Sequence, residues 1–266
     1  MIKFNKKIFT VTFFLLTHLS VSATLIPTDL TITASIGLGG GIFIDSETSN
    51  SGSFSIGANT GTVTDLVVAG DNTSGVSLTD TDETVKFDTD IDSTSLDDNT
   101  YAYDFGLQLS NNHATDSFSV DFSFDYTHMV NSLVTGYSRS NISLFDNDGE
   151  FFFSDIVSDA DFGNTFNGVL DPQGAFGGIV NDAGLYLFSY TLLAGENINF
   201  NGFVEAFFGY TDGVNGIKQT SNATLSIVDV NQIQVGQPPV GVPEPSSLIL
   251  FLTVLILCVR TQSKRI

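Results

Sequence analysis

The sequence predicts an all-β chain, an antiparallel β-sandwich or jelly roll, on three observations. Apolar and polar side chains alternate with a period of two, turn-forming residues separate the alternating runs, and the central region has no comparable run with a 3.6-residue period. The clearest run sets Phe118, Val120, Phe122, Phe124 and Tyr126 against Ser119, Asp121, Ser123 and Asp125. That is the pattern of an antiparallel strand with one face in a core and the other in water.

From the N-terminus onward, each segment has its own signature. Lys3, Lys6 and Lys7 precede a mostly apolar stretch over residues 8–19, and Val21, Ser22 and Ala23 supply small residues. That order predicts a signal helix over 1–23, export, and signal-peptidase cleavage between Ala23 and Thr24. Residues 35–100 are rich in Gly, Ser, Thr and Asp, with weaker strands expected at 62–69 and 84–88. Residues 101–230 carry most of the aromatics, with strands expected around Tyr103, Phe105, Leu107 and Leu109 and at 185–193, 204–210 and 224–230. The contrast suggests either a loose first sheet and a well-packed second one or a mobile N-terminal segment on a compact sandwich, within a single domain over 24–230. Many short strands are expected.

Turn chemistry punctuates these runs. Asp146, Asn147, Asp148, Gly149 and Glu150 lie between two apolar stretches and read as a hairpin in which Gly149 supplies the positive φ. Asn111-Asn112, Ala194-Gly195-Glu196-Asn197 and Thr211-Asp212-Gly213 read as further turns. Residues 231–241, with Pro238 and Pro239, read as a linker.

The last segment, 242–266, is an address label. Val242, Pro243, Glu244 and Pro245 lead into an apolar run over 248–259, and Arg260, Lys264 and Arg265 follow. Twelve residues of helix reach about 18 Å at about 1.5 Å per residue, and 14 with Ser246 and Ser247 reach about 21 Å. The hydrocarbon core of a bilayer is about 30 Å thick, so this is a short, marginal transmembrane helix. The basic end belongs on the cytoplasmic side, which leaves the rest of the chain across the membrane. Pro243 and Pro245 hold the motif extended and open to an enzyme just outside the bilayer.

These residues resemble the PEP-CTERM sorting signal of exported bacterial proteins, over about a tenth of the chain. The basic end is looser than the family often shows, because Thr261, Gln262 and Ser263 separate Arg260 from Lys264. The resemblance implies exosortase, a membrane-embedded, cysteine-dependent processing enzyme, as a partner beside signal peptidase and the export machinery. It implies transient residence in the inner membrane, then the outer envelope, cell surface or extracellular matrix of an exopolysaccharide-producing cell. Exopolysaccharide is a further possible partner.

Charge excludes other partners. Of nine basic residues, six lie in the two targeting segments, so residues 24–242 hold 29 acidic side chains against Lys86, Arg139 and Lys218, a formal charge of −26. Such a surface repels nucleic acids and anionic membranes. The one cysteine, Cys258, lies in the sorting helix, so the domain rests on packing rather than disulfides.

Two acidic clusters are candidate calcium sites, although no cofactor is required. The first comprises Asp80, Asp82, Glu83, Asp88, Asp90, Asp92, Asp97 and Asp98. Asp88, Asp90 and Asp92 match the first ligand positions of a calcium loop, but Ser93 stands where a Gly is wanted and Asn99 where a Glu should close the site. A solvated strand face explains the same spacing. The second comprises Asp146, Asp148 and Glu150, with Asp159 and Asp161 as distant helpers, and competes with the hairpin reading.

No catalytic residue is assigned, and the chain is expected not to be an enzyme. His113 is expected in a loop and His128 at a surface strand end, and neither sits in a hydrolase or metalloprotease motif. The glycines at 37–41 lack the Lys and helix of a phosphate cradle. Tyr101, Tyr103, Tyr137, Tyr186, Tyr190 and Tyr210 are candidates for stacking on sugar rings. The expected role is a non-enzymatic structural or adhesive one, with a calcium-assisted carbohydrate-binding module as the alternative.

Overall fold

The computed structural model describes residues 24–38, 48–62, 72–94, 99–132, 136–209 and 216–234. The expected signal helix and the sorting segment, with Ala23, Val242, Pro243, Glu244, Pro245, Arg260, Lys264 and Arg265, lie outside the described residues. So do Asp97, Asp98, Tyr210 and the turn at 211–213.

Fourteen strands are described: β1 (Leu30–Leu38), β2 (Thr48–Ile56), β3 (Asn59–Thr62), β4 (Asn72–Leu78), β5 (Thr84–Ser93), β6 (Asn99–Asn111), β7 (Ser117–Ser132), β8 (Tyr137–Asp146), β9 (Gly149–Asp159), β10 (Thr165–Phe166), β11 (Val169–Leu170), β12 (Gly178–Leu192), β13 (Asn197–Gly209) and β14 (Ile217–Ile233). They form two sheets, ordered β11-β10-β9-β8-β13-β6-β1-β4 and β12-β7-β14-β5-β2-β3. The registered pairs are antiparallel, as in β1–β6, β6–β13, β8–β13 and β7–β12. The all-β sandwich expected from the alternation is what the chain forms.

Two expectations are corrected. Several strands are long rather than short: β7 has 16 residues, β12 has 15 and β14 has 17, while β3, β10 and β11 are short. Inside β12 the break in apolar alternation is Gly184, where a Cβ would come within 3.0 Å of the Tyr126 ring on β7. The glycine makes room for an aromatic neighbour and the strand continues through it. Nor do the weaker N-terminal strands form a sheet of their own, since β1 and β4 join one sheet while β2, β3 and β5 join the other. Neighbouring strands from the aromatic-rich half supply the packing that their own composition lacks.

Between the sheets, the inward side chains make one cluster that includes Ile32, Phe87, Leu109, Phe118, Phe122, Phe124, Ile142, Leu144 and Phe200. Full burial of each such side chain contributes about 1.5–3 kcal/mol. Aromatic rings pack edge-on or offset here, as in Phe122–Phe200 at 5.4 Å and Phe124–Phe152 at 5.3 Å. Phe105 lies over Gly202 of the adjacent strand, where a Cβ would stand 2.0 Å from its ring. The hairpin between β8 and β9 is present, with Asp146 opposite Gly149 and Gly149 at φ 124°.

Candidate functional site: an uncharged groove on the eight-stranded sheet

Strand alternation sends every second residue of β1, β6 and β13 away from the core, and the register sets those residues in rungs. Ser35 lies opposite Gly106, and Gly106 opposite Asn201. One rung along, Thr33 lies opposite Gln108, and Gln108 opposite Asn199. These residues, with Ala34, Leu107 and Gly75, line an open groove of about 430 Å3. Gly106 forms its waist: a Cβ there would stand 2.9 Å from Asn201 Oδ1 and 3.1 Å from Ser35 Oγ.

The groove has a distinctive chemistry for this protein. None of its nine lining residues is charged, on a domain whose formal charge is −26. The amides of Gln108, Asn199 and Asn201 offer donors and acceptors together, and the hydroxyls of Thr33 and Ser35 add rotatable ones. Next to Asn201 in register is Phe145, whose ring meets that of Phe203 edge-on at 5.6 Å. An uncharged set of paired donors and acceptors beside an aromatic edge suits a ligand with many hydroxyls and an apolar ring face. Asp104, opposite Phe203, has its carboxyl pKa raised by burial.

The calcium candidates are arranged differently from a ligand loop. Asp88, Asp90 and Asp92 occupy one wetter face of β5, alternating with buried Phe87, Thr89, Ile91 and Ser93. Lys218 Nζ on β14 lies 3.0 Å from Asp90 and 3.9 Å from Asp92, and Asn222 donates to Asp88 at 3.1 Å. The ammonium of Lys218 is held above its ordinary pKa by the hydrogen bond to Asp90 and by the charge of Asp92. Asp80 accepts the amide N–H of Asp82 at 2.9 Å, and Glu83 accepts that of Thr79.

The second cluster serves its turns. Asp146 accepts the amide of Asp148 at 2.8 Å and the Tyr190 hydroxyl at 2.8 Å. Asp159 accepts the amides of Asp161 and Phe162 at 2.8 and 2.9 Å. Among the described residues, no group of three His, Cys, Asp or Glu side chains is arranged to hold a metal ion.

His128 is a correction. It is 2 % exposed and sits within β7, not at a surface strand end. Its ring bridges Ser140 at 3.1 Å through Nδ1 and Ser154 at 2.8 Å through Nε2. Ser154 donates its proton to Asp182 at 2.7 Å, so Nε2–H must donate to Ser154 and Nδ1 must accept from Ser140. This polarity opposes that of a serine nucleophile, whose hydroxyl gives its proton to the imidazole. Burial pushes the imidazole pKa down to about 4, although the Asp182 charge raises it. Gln219 extends the buried network, donating to Ser140 and Ser221 at 3.0 and 2.8 Å.

His113 is in a loop, as expected, and its Nδ1 accepts the amides of Thr115 and Asp116 at 3.2 and 2.8 Å. Asn111, expected only as turn punctuation, is a 2 % exposed staple whose amide donates to the carbonyls of Asp116 and Leu193, both at 2.9 Å. Of the tyrosines, Tyr101 and Tyr103 are core residues at 3 % exposure, which removes them as sugar platforms. Tyr186 and Tyr190 are half-buried against Phe151, Phe188 and Phe200. The groove itself was not read from the sequence. Its signal is Gly106 replacing a polar residue in the alternation Asp104, Gly106, Gln108, but only strand order reveals Ser35 and Asn201 as its neighbours.

No protein-family model matches the chain, and no curated protein does. Among solved structures it is similar to infectious bursal disease virus, Gx strain, at 9 % identity and a TM-score of 0.19, with 82 % of this chain and 58 % of that chain covered. A VP2 subviral particle of the same virus is similar at 10 % identity and a TM-score of 0.20, with the same coverage. The chain thus spans less than two thirds of these neighbours, and likeness at these scores carries no argument.

Proposed function

We propose that the protein is an exported, exosortase-processed component of the bacterial surface or extracellular matrix with a non-enzymatic structural or adhesive role. The observation that carries this reading is the order at the C-terminus: Pro243-Glu244-Pro245, the apolar run 248–259, then Arg260, Lys264 and Arg265. Thr24 is compatible with it, being exposed and joined to the domain by two hydrogen bonds with Thr81, one from its own N–H and one to its carbonyl. A cut before Thr24 leaves both of these bonds in place. Fractionation of cells with and without exosortase tests the proposal. Release to the outer surface or medium in the first and retention at the inner membrane in the second is the expected result, and identical distributions contradict it.

One observation favours a saccharide-binding role within that reading. The groove offers Gln108, Asn199, Asn201, Thr33 and Ser35 without a charged neighbour among its lining residues. Such a site takes a neutral polysaccharide by hydrogen bonding, whereas the acidic remainder repels anionic chains. Calcium assistance gains no support among the described residues, where Asp90, Asp88 and Asp146 are engaged by Lys218, by Asn222, and by Tyr190 and a turn amide.

A further inference from the structure

We propose that β12 is a self-association edge, along which two copies of the chain pair antiparallel about a two-fold axis near Leu185. Among the described residues, strand β12 ends the six-stranded sheet and has β7 as its only strand neighbour. Its register with β7 runs unbroken from Gly178 opposite Ser132 to Leu192 opposite Phe118. An exposed strand edge is a template for another strand unless shortness, a bulge, proline or charge blocks it. The other terminal strands are blunted: β3 has four residues, β11 has two, and β4 carries a register shift against β1 and a positive-φ glycine, Gly75. Strand β12 has 15 residues with no proline, lysine or arginine, and its positive-φ glycine, Gly178, is confined to its first position.

Charge selects a second copy as the occupant. With a formal charge of −26 on the domain, most faces bring carboxylates together when two copies meet. The outward face of β12 is an uncharged strip along an open strand edge. It presents Ile179, Leu185 and Leu187 at 67, 64 and 65 % exposure, with Asn181, Ala183, Ser189 and Thr191 between and beyond them. Asp182, the one charged residue of the strand, is directed away from that face and accepts hydrogen bonds from Ser154 and Tyr126. The nearest outward carboxylates, Asp125 and Asp121, are on β7 opposite Leu185 and Ser189. At about 4.8 Å between strands, the two β7 strands of such a dimer are roughly 14 Å apart, beyond the screening length of about 10 Å at 0.1 M salt.

Self-complementarity sets the register. Leu185 is the middle residue of Gly178–Leu192, so an axis there pairs all 15 residues. Leu185 then meets its own copy, while Leu187 packs on Ala183 and Asn181 faces Ser189. Leucine thus meets leucine at the axis and alanine beside it, and no charged side chain of β12 faces the partner on the outward side.

Sedimentation of the exported protein, recovered as the cell processes it, tests the proposal. The wild type is expected at twice the monomer mass. Leu185→Lys combined with Leu187→Lys, both at exposed positions, is expected to weaken self-association by at least about 100-fold with an unchanged circular-dichroism spectrum. In a Cys258→Ser background, Leu185→Cys is expected to cross-link two copies, while the exposed control Val228→Cys is not. A monomeric wild type, a dimer that tolerates both lysines, or a Leu185→Cys cross-link only to a different protein overturns it.

Discussion

His128 shows how a residue's neighbours determine its chemistry. A histidine among serines between two sheets has hydrogen-bond partners for a neutral ring, and burial holds its pKa near 4 against an ordinary 6.5. The unfolded chain binds the proton more readily, so the stability due to this group is complete above pH 6.5 and is lost as the pH falls through 4. Between pH 7 and pH 4 the expected loss through this residue is on the order of 3 kcal/mol. His128→Gln removes the titration. Denaturant melts across that range should therefore show a smaller loss in the variant than in the wild type, and equal losses would refute the assignment. Gly202 is a second case, since Phe105 lies where its Cβ would be. Gly202→Ala is expected to cost about 1–3 kcal/mol by overpacking, with Phe105→Leu in the same chain recovering part of it in a double-mutant cycle. Neither residue announced its role in the sequence. The Phe105 and Gly202 pairing joins strands about a hundred positions apart, and His128 follows Tyr126 in an alternation that gives no sign of what lies across the sheet interface.

Among the elements, legibility followed period and neighbourhood. Strands with unbroken alternation, such as β7 through Phe118, Phe122 and Phe124, were readable because one side must face a core. Strand β12 was half readable, since Gly184 and Asp182 interrupt the apolar pattern for reasons located on β7 and β9: the Tyr126 ring and the Ser154 hydroxyl. The groove was not readable, because its rungs combine β1, β6 and β13 from widely separated parts of the chain. If the groove binds neutral polysaccharide, Asn201→Ala with Gln108→Ala should weaken binding about 10-fold or more while leaving the melting temperature nearly unchanged. Titration of the variant and the wild type with a panel of neutral and acidic polysaccharides, with and without a chelator, checks this. Binding that survives both substitutions, or that chelation abolishes, would remove the groove from the account.

For the whole molecule, composition and the two ends spoke most clearly. Six of nine basic residues lie in the segments expected to be removed or cut. Under the proposed processing, what remains is an acidic sandwich whose uncharged regions, the groove and the outward face of β12, stand out against the rest. An acidic surface of this kind is expected to disfavour contact with nucleic acid and other polyanions and to leave contacts with neutral partners unpenalised. The ligand of the sandwich was not legible because it depends on which polar faces become adjacent, whereas the address depends on a linear order of residue types. That address is the central claim, and intact mass spectrometry of the protein recovered from outside the inner membrane tests it most directly. A chain beginning at Thr24 and ending near Pro243 is the predicted result. A chain that retains the apolar run and ends at Ile266 would contradict it.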